Sequence, residues 1–197
     1  DMTGNRTQTM SNQKGFTLIE IAIVLVIIGL LLGGVLKGQE LITSARVRNL
    51  ISQQDGIKAA FFGFQDRFRA LPGDYASADT SLKCPGLTTC LKGDGNGIIT
   101  ASGSAEPHEE ILVWMHLASA GFLNGNFRMV AGDATPNDLN SPKNPYSIYL
   151  QLIYDSVYAD LGVPPKKHNL KTGAQIPVEI VAEVDRKIDD DNGIRGG

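Results

Sequence analysis

Apolar residues crowd into one block near the start of the chain. From Phe16 to Leu36 the sequence reads FTLIEIAIVLVIIGLLLGGVL, and only Thr17 and Glu20 interrupt it with polar groups. A helix of that length spans about 31 Å, the thickness of a bilayer's hydrocarbon core. After Lys37 the apolar content falls, but the helical period persists. Leu41, Ala45, Val47, Leu50, Ile51, Ile57, Ala60, Phe61, Phe64 and Phe68 recur mostly three or four apart, as one buried stripe. Arg46, Arg48, Gln53, Asp55, Lys58, Asp66 and Arg67 take the other surface. Leu71-Pro72-Gly73 ends the pattern, because a pre-proline residue disfavours helix and Gly73 favours a turn. The spacing predicts one helix from about Thr17 to Ala70, roughly 80 Å long at ~1.5 Å per residue. Its first half suits a membrane or a filament core, and its second half suits packing on a head domain.

The pattern from residue 73 onward is different. Glu109 to Phe122, EEILVWMHLASAGF, predicts a helix with Ile111, Leu112, Met115, Leu117 and Ala118 on one face and Gly121 as its C-cap. Glu109 and Glu110 fall in the first turn, where the helix dipole favours acids. Trp114 reads as a packing residue and His116 as a partly exposed one. Tyr146 to Tyr154 and Ile176 to Val181 read as strands from their β-branched and aromatic content. Val181, Val184 and Ile188 have helical spacing, so Val178 to Ile188 also fits a short helix. These elements predict an α+β fold, a long N-terminal helix packed on a small antiparallel sheet.

Composition and charge then narrow the function. Forty-two per cent of the 197 residues are hydrophobic, too many for a wholly disordered chain. A net charge of −3 gives no general reason to expect nucleic-acid binding. The one basic cluster, Lys166-Lys167-His168 with Lys171, reads as a solvated loop. Catalytic signatures are missing: there is no H-E-x-x-H helix, G-x-S-x-G elbow, phosphate loop or dinucleotide fingerprint. Enzymatic activity is therefore not expected. Arg6 and Lys14 before the apolar block favour a cytoplasmic N-terminus. A cleaved secretory signal fits less well, since the apolar run exceeds the usual 7–15 residues and only Thr43-Ser44-Ala45 imitates a cleavage site. Neither a plain anchor nor a secretory signal accounts for Glu20, because an acid inside a membrane helix costs a few kcal/mol.

Lys14-Gly15-Phe16-Thr17-Leu18-Ile19-Glu20 resembles the processing motif of the type IV pilin superfamily, which includes the pseudopilins of type II secretion. The resemblance implies that a prepilin peptidase cuts between Gly15 and Phe16 and methylates the new amino group of Phe16. Gly15, with no Cβ, suits an extended chain in a tight protease site. The resemblance further implies that Glu20 pairs with the amino terminus of a neighbouring subunit during assembly. It also implies an inner-membrane assembly platform, and self and other pilin-like subunits as partners. Met10 then serves as a start giving the leader MSNQKG, with Asp1–Thr9 upstream of it. The expected divisions are a leader (1–15), a transmembrane or filament-core helix (16–36), its amphipathic continuation (37–71) and an extracytoplasmic head (72–197).

Gly29, Gly33, Gly34 and Gly38 give overlapping G-x-x-x-G spacings, which permit close helix approach or simply reflect glycine's frequency in membrane helices. Many relatives carry a proline in this region, whereas no proline stands between Phe16 and Pro72 here. Cys84 and Cys90, the only cysteines, are expected to form one disulfide in an extracytoplasmic head. Gly93-Asp94-Gly95-Asn96-Gly97 reads as a tight turn rather than a calcium loop, since the later acidic ligand is missing. No cofactor is required by these residues. Some major pseudopilins hold calcium near the C-terminus, so the resemblance raises Asp189, Asp190 and Asp191 as calcium candidates beside the simpler reading of a solvated acidic tail. The competing functional class is a membrane-anchored extracytoplasmic adhesin or sensor that never polymerises.

Overall fold

The computed structural model describes residues 15–100, 108–155 and 167–172. The predicted long helix is present as α1, Leu18–Phe68. The chain divides into two compact units, 1–43 and 44–197, and the division falls within α1.

In the first unit the helix is long and apolar enough to cross a membrane, and none of its apolar window is buried by protein. Leu18, Leu25, Leu30 and Leu31 are each more than 60% exposed, so the side chains that would most favour burial have no partner within the unit. A Cβ added at Gly29, Gly33, Gly34 or Gly38 would meet nothing within 4 Å, so all four lie on open helix surface.

In the second unit α1 turns one stripe inward. Val47, Leu50, Ile57, Ala60 and Phe64 are buried, at the three- and four-residue spacing of a single face. Leu41 and Ala45, assigned to the same stripe from the sequence, are exposed. Ile57, Ala60 and Phe64 join the main core, whereas Val47 and Leu50 form a smaller cluster with Ile51 and Tyr146. The helix stops earlier than Leu71-Pro72-Gly73 suggests. Arg69 adopts a left-handed conformation (φ 53°), which breaks the helical path directly after Phe68.

A short helix α2, Ala78–Ser81, leads into the segment closed by the Cys84–Cys90 disulfide. α3, Glu109–Ser119, is the core's centre. Residues from Glu109 through Leu117 are all buried, so this helix is covered on every side rather than on one apolar face. That corrects His116, which is fully buried rather than partly exposed.

The sheet has two antiparallel strands, β1 (Gln151–Asp155) and β2 (Lys167–Lys171), with Leu152 facing Leu170 and Tyr154 facing His168. The strand predicted from Tyr146 begins only at Gln151. Asn144 Oδ1 accepts the N–H groups of Tyr146 and Ile148, and this side-chain turn occupies the backbone that would otherwise enter the ladder. β2 corrects a second expectation, because Lys167, His168 and Lys171 stand in a strand rather than in a loop. Lys171 pairs with Asp155 across the ladder, and Asn169 Nδ2 donates to the same carboxylate at 2.8 Å. These polar contacts supply what the strand lacks in β-branched content. Ile176–Val181, the alternative helix Val178–Ile188 and the acidic tail lie outside the described residues.

Candidate functional site

The chemistry of the N-terminal segment begins with where α1 starts. Gly15, Phe16 and Thr17 precede the helix, and Phe16 is 85% exposed. The Thr17 N–H donates to Glu20 Oε2 at 2.9 Å, and the Glu20 N–H donates to Thr17 Oγ1 at 3.3 Å. This reciprocal pair is a capping box, which satisfies two backbone donors that a helix start leaves without intrahelical partners. It follows from the T-x-x-E spacing ahead of an apolar run, a signal that reading Thr17 as a mere polar interruption misses. The carboxylate is thereby folded back over the first turn, where the helix dipole also favours negative charge. Glu20 is thus the fifth residue after the Gly15–Phe16 bond, which lies outside α1 and between exposed residues.

Residues 10–36 match the family model described as the prokaryotic N-terminal methylation motif. The chain carries the prepilin-type signature of type IV pilins and pseudopilins. No curated protein and no solved structure matches the chain. The signature is that of structural subunits rather than enzymes, and it overlaps the capping box and the membrane-length part of α1.

The second compact unit has its own polar centre, built where two backbone segments cross. The Gly93 N–H donates to Tyr75 O (3.1 Å) and the Gly95 N–H to Asp74 O (3.0 Å). A Cβ on Gly93 would lie 2.3 Å from Gly73 O and 2.4 Å from Asp74 Cα, so only glycine fits this crossing. Carboxylate oxygens of Asp74, Asp94 and Glu109 lie within 4.8 Å of one another. The sequence reading recognised the turn and missed the acids, because Asp74 and Glu109 arrive from outside it.

These carboxylates hold the loop. Asp74 Oδ1 and Oδ2 accept the N–H groups of Asn96 and Gly97, at 2.9 and 2.8 Å. Glu109 Oε1 accepts the Asp94 N–H, and its Oε2 accepts the N–H and hydroxyl of Thr100 at 2.9 and 2.6 Å. Burial pushes the Asp74 carboxyl up to about 6, and the neighbouring Asp94 and Glu109 carboxylates add to the shift against the pull of the two N–H donors. Among the described residues these three acids are the group with the spacing of a cation site, and each oxygen of Asp74 and Glu109 already receives a protein donor.

His116 anchors the same crossing from below. Its Nδ1 accepts the Gly73 N–H at 2.9 Å, which puts the ring proton on Nε2, where it is donated to Leu91 O at 2.8 Å. Burial holds its pKa down, to about 4, so the ring is neutral at physiological pH. The ring lies parallel to Phe64 of α1 at a centroid distance of 6.3 Å. His116 is thus a structural tie between α1, α3 and two loops.

Cys84 and Cys90 form the expected disulfide, and both are buried in the main core. Asp189, Asp190 and Asp191 lie outside the described residues, as do Lys14 and Lys166.

Proposed function

We propose that this chain is a pilin-like structural subunit, cut between Gly15 and Phe16 by a prepilin peptidase, methylated on the Phe16 amino group and assembled into a type IV pilus or a type II secretion pseudopilus. The observation that carries this reading is the methylation motif at residues 10–36, coincident with an apolar helix that buries none of its membrane-length window. The peptidase needs an extended peptide, and the bond it would cut lies outside α1. Before assembly the subunit sits in the inner membrane, N-terminus in the cytoplasm and head on the far side. The apolar side chains of 18–43 then exchange lipid for neighbouring helices in the filament core. An inner-membrane platform supports that transfer.

Glu20 supplies the register. Its carboxylate is satisfied locally by the Thr17 N–H in the single subunit. In the filament it meets the methylated amine of an adjacent Phe16, and two charges that are each costly in an apolar medium offset one another. Removing one partner of such a pair costs roughly 3–5 kcal/mol.

Gln fits the last position of a capping box and carries no charge. Glu20→Gln therefore separates the two roles of the side chain. Glu20→Gln and Glu20→Ala are both expected to be cleaved normally and to enter fibres poorly, as read by immunogold labelling and by the sheared-fibre fraction. Normal incorporation of Glu20→Gln would remove the charge pair from the account.

A further inference from the structure

Every backbone N–H from Asp94 to Thr100 has an acceptor, and most of the acceptors are side chains. Glu109 takes those of Asp94 and Thr100, Asp74 those of Asn96 and Gly97, and Asn96 that of Ile98, while Gly95 bonds the Asp74 carbonyl. Ile99 is held from the sheet instead. Its N–H donates to Nε2 of His168 on β2 at 3.2 Å. Its carbonyl accepts the Tyr154 N–H of β1 at 3.1 Å, and Tyr154 faces His168 across the ladder. This one fully buried residue therefore fastens segment 94–100 to both strands.

A ring nitrogen that accepts carries no proton, so the proton of the neutral His168 ring is on Nδ1. His116 has the opposite tautomer, accepting at Nδ1 from Gly73 and donating from Nε2 to Leu91 O. The His168 ring rests at a tilt against Tyr154 (4.9 Å between centroids) and Phe61 of α1 (6.2 Å), and this packing fixes where Nε2 points. We propose that His168 is a proton-operated latch, whose neutral ring ties segment 94–100 to β2 through Ile99 and whose protonation at Nε2 releases it. A protonated Nε2 is a donor aimed at a donor. The Ile99 N–H would then be buried without an acceptor, so the contact has to open.

The surroundings set the direction of the switch. Burial holds the His168 pKa below its ordinary 6.5. Among the described residues, Lys58 of α1 lines one groove with the ring, and Arg69 and Asp74 line a second cleft with it. Lys58 and Arg69 both oppose a positive ring. Asp74 is the acid that would favour one, and its carboxyl takes up its own proton at about 6, so its attraction fades in the same window. Tyr154 and Phe61 bring no charge at these pH values. Lys167 and Lys171 stand on the opposite face of β2, where Lys171 pairs with Asp155. With its folded pKa lowered, His168 contributes its full stability above 6.5 and loses it as pH falls below that value. The latch is closed at neutral pH and opens on acidification. It lies wholly in the second compact unit, so it operates independently of any cut at Gly15.

Nitrogen-15 NMR and amide hydrogen exchange of the full chain in detergent micelles test it. At pH 7.5 the His168 ring is expected as the Nδ1–H tautomer and the His116 ring as the Nε2–H tautomer. Between pH 7 and pH 5 the protection of the Ile99 amide, corrected for the intrinsic rate, should fall by about tenfold or more. The Gly73 amide, held by His116 with its pKa of about 4, should stay protected, as should the Ile153 amide of β1. Glutamine offers an acceptor oxygen near the place of Nε2 and does not titrate in this range. In His168→Gln the Ile99 protection should therefore stay level from pH 7 to pH 5. The tautomer of the unaltered chain tests the latch even where that variant folds poorly. An Nε2–H tautomer of His168 at pH 7.5 would overturn the proposal, as would Ile99 protection that is level with pH in the unaltered chain or falls equally in His168→Gln. Loss of Gly73 and Ile153 protection together with that of Ile99 would also overturn it, since the opening would then be global.

Discussion

Two residues of the head are held by opposite demands, one of space and one of charge. Gly93 has no room for a methyl group, because backbone atoms of Gly73 and Asp74 stand where its Cβ would be. Gly93→Ala is expected to destabilise the head by about 1–3 kcal/mol through overpacking, read as a fall in the denaturant midpoint at unchanged slope. Asp74 presents the charge problem. Its folded pKa is about 6, above the ordinary value of 3.8, so the native state binds the proton more tightly than the unfolded chain does. The stability this adds is complete below the unfolded pKa and is lost as pH rises through about 6. His116 works the other way. With its folded pKa lowered to about 4, it removes stability as pH falls from its ordinary 6.5 towards 4. The two effects oppose one another in the shared window. Asp74→Asn removes only the first, so the variant should lose stability relative to the parent as pH falls from about 7 to about 4.5. A thermal melt series that runs parallel for the two proteins across that range would contradict the role given to Asp74.

At the scale of elements, the sequence was legible where one period dominates and less so where distant residues decide. α1 was readable because its apolar block and stripe extend over many turns, and packing confirms Val47, Leu50, Ile57, Ala60 and Phe64. Its end was placed too late, since nothing in Arg69 announces a left-handed residue. α3 was located, but a helix buried on every side has no polar face to reveal, and His116 was misjudged for that reason. β2 was missed because its sequence, KHNLK, is polar, and it is held by Asp155 on a strand distant in sequence. The acids around the 93–97 turn were missed likewise, since Asp74 and Glu109 belong to other segments. The left-handed end of α1 supports a prediction of its own. A non-glycine residue in that conformation costs about 1–2 kcal/mol. Arg69→Gly should relieve part of it and raise the head's stability by up to about 1 kcal/mol, after the greater flexibility of glycine in the unfolded chain is counted. A lower melting temperature for this variant would show that the Arg69 side chain contributes more than its backbone costs.

For the whole molecule, the apolar segment, the capping box and the methylation motif converge on the same few residues. An acid in a membrane-length helix is costly by itself, and the proposed cut between Gly15 and Phe16 would place a charged amine near it. Before such a cut the nitrogen of Phe16 is an uncharged amide. The proposed charge pair therefore requires processing to precede assembly, and a mass measurement of the N-terminus tests that order. Intact protein extracted from the native membrane, digested and analysed by mass spectrometry, is predicted to begin at Phe16 and to carry one methyl group on its amino nitrogen. Recovery of peptides that run uncut through Gly15 and Phe16 would contradict the account, leaving an anchored head with no charged terminus for a neighbouring Glu20.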